Sequence, residues 1–193
     1  MALVAMSAGG LSAQRSDSVR TAPHYWKKLA LGAASSILLH ETAHIATSVA
    51  LGGHPTFGFD AARPTVYSGL DVRNDPRKQF VFSISGLVAQ SLVDEAILDV
   101  PHARGGAFER GVLGGGIGTT IFYLTIGRRG SVSDVDFIAR TRVMSKTEVT
   151  MLFGTIAAMH TWRVWRDPEY GNFFVRPRGA HAYDLGWSRR LAR

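Results

Sequence analysis

Cysteine is missing from this chain of 193 residues. That excludes disulfides and thiolate metal sites, so a bound metal must be held by His, Asp or Glu. Internal repetition is missing too. Nothing recurs at a period of about 20 to 50 residues, which removes solenoid architectures. The glycine-rich run Gly111–Gly118 lacks a Lys-Ser/Thr ending and sits in an apolar segment, so it reads as a helix-packing surface rather than a phosphate loop. Acid is the minority charge: 22 Lys+Arg against 15 Asp+Glu give +7, with a pI of about 10.2. A basic cluster with interleaved aromatics, the footprint of nucleic-acid binding, is also lacking. The basic residues instead punctuate apolar runs, at Lys27-Lys28, Arg77-Lys78, Arg128-Arg129 and Arg189-Arg190. This pattern argues against nucleic acid as a partner and points to membrane lipid, with cations meeting anionic headgroups.

The length allows one domain with a sizeable core. Mean hydropathy is only +0.04, but the average hides a split. Residues 1–28 are a polar N-terminal segment. Met1–Gln14 within it reads either as a weak signal peptide cut after Ala13 or as an unstructured start. Residues 29–165 hold the apolar runs, and 166–193 read as a basic soluble tail. Four helices are expected, at Leu29–Leu51, Phe80–Leu98, Phe108–Ile126 and Val149–Trp165. The first is long enough for a hydrocarbon core of about 30 Å. The second is short for a free span, since its apolar run reaches only Val93 before Asp94-Glu95. Trp162 and Trp165 stand where an aromatic belt would lie. Thr56–Pro76 is expected to be a loop with a short β-hairpin. The fold class is therefore mainly α: a polytopic membrane bundle of about four helices with a small hairpin after the first.

The stretch richest in chemistry is His40-Glu41-Thr42-Ala43-His44. It reads HExxH. On a helix the two histidines stack on one face and can share one metal ion, while Glu41 can reach a water there as general base. It lies inside an apolar run, where ionisable groups are costly and usually functional.

Two histidines do not complete a catalytic zinc site, which takes a third protein ligand. Asp134 is one candidate, with Asp136 its local rival. The structural alternative is that Ser133 and Asp134 cap a helix beginning near Val135. Glu95 is the other candidate, in Glu95-Ala-Ile-Leu-Asp99, an E-x-x-x-D pattern like that of thermolysin-like peptidases; the pattern is short and common in helices, and an acidic helix end near water is the favoured account of it. His160 reads as a packing histidine of the fourth helix.

Three blocks in order resemble the site-2 protease family of intramembrane zinc metalloproteases, in its divergent bacterial branch. They are His40–His44 with the Gly52-Gly53 turn, Ser85-Gly-Leu-Val-Ala-Gln90, and Ser133-Asp134-Val135. Leu87 stands where that family often has Pro, Gln90 where it has Asn, and Val135 where Gly is usual. The resemblance implies an integral protein of a bacterial inner membrane that hydrolyses peptide bonds of a membrane-protein or peptide substrate. It implies Zn2+ on His40, His44 and Asp134, Glu41 as catalytic base, and the amide of Gln90 aimed at a substrate carbonyl or oxyanion. Two other readings stay open: a catalytically silent metal-binding membrane protein, and an interfacial zinc peptidase using Glu95.

Overall fold

In the computed structural model, the structure describes residues 24–60, 63–102, 104–127, 133–167 and 169–170, and the backbone of 172–177 and 183–188. The expected signal segment Met1–Gln14 lies outside the described residues. The chain is mainly helical. The order is α1 (Tyr25–Ala50), β1 (Thr56–Asp60), β2 (Arg63–Tyr67), α2 (Pro76–Asp99), α3 (Ala107–Leu124), α4 (Asp134–Arg140), α5 (Lys146–Arg166), β3 (Asn172–Pro177) and β4 (Tyr183–Ser188).

The four long helices match the expected ones in order. Both α1 and α2 begin four residues earlier than their apolar runs do. Tyr25–Lys28 and Pro76–Gln79 are polar, yet they continue the backbone ladder, and Pro76 at the first helical position tolerates a missing N–H there. Of the helices described, α2 is long and apolar enough to cross a membrane. The expectation of four spans is thus met in helix number, and by length and composition in α2 alone.

Glycine ends α1. Gly52 takes φ +80, which a side chain would resist. Its N–H bonds Val49 O at 3.0 Å, and Gly53 N–H bonds Ser48 O at 2.8 Å. These two bonds satisfy the last carbonyls of the helix and turn the chain into the hairpin. The hairpin is antiparallel, with Phe57 opposite Val66 and Phe59 opposite Pro64. A polar staple fixes its base. Ser48 Oγ donates to Ser68 O at 2.6 Å, and Ser68 Oγ donates to Gln79 Oε1 at 2.7 Å. At the far end, Pro101 forces Val100 into extended backbone and stops α2.

Helices α1 and α3 meet backbone to backbone. A Cβ on Gly32 would lie 2.0 Å from Phe108 O, and one on Gly111 would lie 2.1 Å from Leu29 O. The glycine run is therefore a packing surface, as its composition predicts. An apolar core of Leu87, Leu124, Val135, Ile138, Val149 and Phe153 joins α2, α3, α4 and α5. The tail, read from sequence only as basic and soluble, carries β3 and β4 as an antiparallel pair, Asn172 opposite Ser188. Its Arg, Pro and Gly content masks two short strands.

On α1 the distribution of side chains is inverted relative to an amphipathic helix of a water-soluble bundle. On α1 the buried face is Ser36, His40, His44 and Ser48, one residue per turn, while Leu31, Leu38 and Val49 face outward. Leu38 is 63% exposed and His40 1%. Leu92, Ile121, Met151, Met159 and Trp165 continue the exposed apolar surface on the other helices.

Candidate metal centre

The i, i+4 spacing puts His40 and His44 one above the other, with rings 4.8 Å apart. Each is fixed through Nδ1. His40 Nδ1–H donates to Gln90 Oε1 at 2.9 Å, and His44 Nδ1–H donates to the Phe82 carbonyl at 2.8 Å. Gln90's own assignment follows from its other contacts. Its Nε2 donates to Ser36 O at 3.2 Å and Ser36 Oγ at 3.1 Å, so Oε1 must be the atom facing His40. Gly86 makes room for the first histidine, since a Cβ there would lie 2.5 Å from His40 Nε2. Tyr123, at the end of α3, stacks on the other side of that ring at 5.2 Å and 8°.

With both Nδ1 atoms committed as donors, both Nε2 atoms present lone pairs in the neutral rings. They point at the same place. His40 Nε2 lies 2.9 Å from Asp134 Oδ2, His44 Nε2 lies 3.4 Å from Oδ1, and the two Nε2 atoms are 3.1 Å apart. Three acceptors this close repel one another unless a proton or a metal ion sits among them. A tetrahedral zinc shell with bonds of about 2.1 Å has ligand atoms about 3.4 Å apart, so the three fit such an ion with small outward shifts. Among the described residues, His40, His44 and Asp134 are the group that can hold a metal ion.

Asp134 is brought here by its cap. Ser133 is the N-cap of α4, accepting from Asp136 N–H at 3.1 Å. Both readings of this segment therefore hold at once: Ser133 caps, and Asp134 is left free to face the histidines. Burial pushes the Asp134 carboxyl up, but in the metal-free site, once the imidazoles take protons on Nε2, the charge of His44 and the hydrogen bonds the rings then donate outweigh burial and hold the group well below the usual carboxylate range.

Glu41 is buried beside the histidines, and its carboxylate accepts the backbone N–H of Val66 from β2. A pocket opens there, and its lining includes Glu41, His44 and Asp134 together with Val66, Phe82 and Tyr123.

The remaining candidates lie elsewhere. Glu95 binds α5, through His160 Nε2 at 2.8 Å and Arg163 Nη1 at 2.7 Å. Asp136 pairs with Arg140 and Lys146, each at 2.6 Å. Gln90 was expected to aim its amide at a substrate oxygen, yet its N–H groups are taken by Ser36 and its oxygen by His40. It orients a ligand instead. Sequence reasoning missed Phe82, Tyr123 and Val66, and held Gly86 only as part of the Ser85–Gln90 block. Gly86 had a signal in the Ser-Gly step; the Phe82 and Val66 contacts are made by backbone, which residue type does not reveal.

Comparison with family models, curated proteins and solved structures finds no match to this chain.

Proposed function

We propose that this chain is a membrane-embedded zinc metallopeptidase of the site-2 protease kind. The observation that carries the reading is the orientation of the histidine pair: Gln90 and Phe82 hold both Nδ1–H groups, which leaves both Nε2 atoms on Asp134. Such outer contacts are what orient metal-binding imidazoles. Cysteine is absent and the donors are two imidazoles and a carboxylate, a set that suits zinc.

The membrane setting is supported by the inverted burial. Leu, Ile, Met and Trp are exposed on four helices, while His, Glu, Asp, Gln and Ser are buried alongside the apolar core. In lipid this arrangement satisfies polar groups internally and leaves the apolar surface solvated by acyl chains.

His40, His44 and Asp134 would hold the ion. Zinc in such a site brings the pKa of a water to about 7 and polarises a carbonyl. Glu41 stands in the same pocket, takes the proton of the attacking water and delivers it to the leaving amine. Val66 N–H keeps the Glu41 carboxylate in place. Val66, Phe82 and Tyr123 give the pocket apolar walls that suit a hydrophobic peptide segment.

A second reading has one observation in its favour. Gln90's amide is occupied by Ser36, so the expected oxyanion donor is lacking. A metal-binding membrane protein without turnover would look like this.

The deciding experiment is zinc stoichiometry on the detergent-solubilised protein together with cleavage of a single-span test substrate. Wild type is expected to bind one zinc and cut. Glu41→Gln is expected to keep the zinc and lose cleavage. One zinc with no cleavage by wild type selects the silent reading, and no zinc removes both.

A further inference from the structure

A second set of ionisable side chains lies away from the histidine pair of α1, where α2 meets α5. Asp94 and His160 are each 3% exposed. His160 stands between two carboxylates. Its Nε2 lies 2.8 Å from Glu95 Oε2, and its Nδ1 lies 3.7 Å from Asp94 Oδ2. Glu95 is on the rim, 42% exposed. Arg163 donates to the other oxygen of Glu95 at 2.7 Å and also binds Asp99, which Arg104 influences from the α2–α3 connection. From α3, the group against Asp94 is Gly116, where a Cβ would lie 2.6 Å from Oδ2.

Packing alone does not account for this set. Asp94 Oδ1 is buried without a hydrogen-bond partner. An ionised carboxylate in that state is strongly disfavoured, and a proton removes the charge. Glu95 and Asp99 pair with Arg163 while Asp94 faces His160, so the three carboxylates carry more negative charge than Arg163 offsets until protons bind. The two nitrogens of His160 face one carboxylate that solvent reaches and one that it does not. An imidazole so placed can take a proton on one side while giving one on the other.

We propose that Glu95, His160 and Asp94 form a proton relay that loads a buried proton site on Asp94. In the loading step the His160 ring closes the 3.7 Å gap to Asp94 to hydrogen-bond distance; Glu95 Oε2–H passes its proton to His160 Nε2, while His160 Nδ1–H passes its proton to Asp94 Oδ2. The imidazole ends as the other tautomer, Glu95 ends ionised, and Asp94 ends neutral. Solvent then returns a proton to Glu95. Nothing is oxidised or reduced, and the steps reverse to unload the site. The relay does not depend on metal binding or on peptide hydrolysis. It does reach toward the metal centre, because Gln90 lies one helical turn before Asp94 on α2 and holds His40.

The test is infrared spectroscopy of the full chain in detergent, reading the carbonyl stretch of a protonated carboxylic acid and its exchange in deuterium oxide. Wild type is expected to show a buried-acid band that vanishes in Asp94→Asn. In His160→Gln the band should remain and exchange about a hundredfold more slowly, the low end of what a positioned proton-transfer group contributes. Glu95→Gln, on the rim, should slow exchange as well and serves if the first variant does not fold. The proposal is overturned by no such band at any pH where the protein is folded, by a band that survives Asp94→Asn, or by wild-type exchange in whichever relay variant folds.

Discussion

Gln90 Oε1 accepts the Nδ1–H of His40 at 2.9 Å, and this contact decides which nitrogen of His40 faces Asp134. The residues are 50 positions apart, on α2 and α1. Ser36, one turn before His40 on the same face of α1, fixes the amide from the other side. The metal centre is thus oriented by a polar seam that runs between two helices.

Replacing Gln90 with Ala is expected to weaken zinc binding about 10- to 100-fold, the usual cost of losing an outer-shell partner. It also leaves the His40 N–H and the Ser36 hydroxyl without partners in a buried space, which costs about 1–3 kcal/mol per group. Competition titration with a chromophoric chelator and thermal unfolding read the two effects. Unchanged affinity would mean that Gln90 does not hold the imidazole.

Gly86→Ala attacks the same ring sterically. The new Cβ would fall 2.5 Å from His40 Nε2, and the ring has little room to step aside because Tyr123 stacks on it 5.2 Å away. Alanine favours helix over glycine by about 1 kcal/mol, so helix content should hold. Zinc affinity should drop at least as far as in Gln90→Ala. A variant that binds zinc normally would show that the ring can tilt without losing its ligand role.

Helix packing gives a paired prediction on α3. Gly111→Ala puts a methyl 2.1 Å from Leu29 O, a backbone atom that cannot yield. The two helices must separate, at a cost of about 1–3 kcal/mol. Gly114→Ala meets nothing within 4 Å and should be neutral or stabilise by up to about 1 kcal/mol. Melting temperatures that move together would contradict the close approach of α1 and α3.

What the sequence made legible was local. HExxH is five residues on one helix turn, so its geometry follows from helical spacing alone. The glycine run also announced its role, because small side chains at turn-like intervals have one use between helices. Asp134 was reachable only as one of several acids. Its pairing with His40 spans 94 positions, and nothing near it in the chain says which way α4 points. The direction of the Gln90 amide was illegible for the same reason, since Ser36 sets it from another helix. Glu95 read as a ligand candidate because the E-x-x-x-D pattern carries no information on which face of α2 it occupies; His160 and Arg163 claim it. His160 itself read as packing, because its two acidic neighbours come from a helix some 65 positions earlier.

Asp134 also makes the metal-free protein sensitive to acid. Its carboxyl is held below the usual range by the imidazoles, chiefly against the effect of burial. A depressed folded value means that the contribution to stability is fully present above the unfolded value of about 3.9 and is lost as pH falls through the folded one. In excess chelator, wild type should therefore lose stability as pH drops below about 4. Asp134→Asn cannot take up that proton, and its stability curve should be flatter over the same interval. With zinc present the loss should begin at higher pH, because protons compete with the ion for the Nε2 atoms of His40 and His44. Denaturant unfolding across pH, with and without chelator, separates these limbs. Parallel curves for wild type and Asp134→Asn in chelator would show that the carboxylate is not paired with the imidazoles in solution.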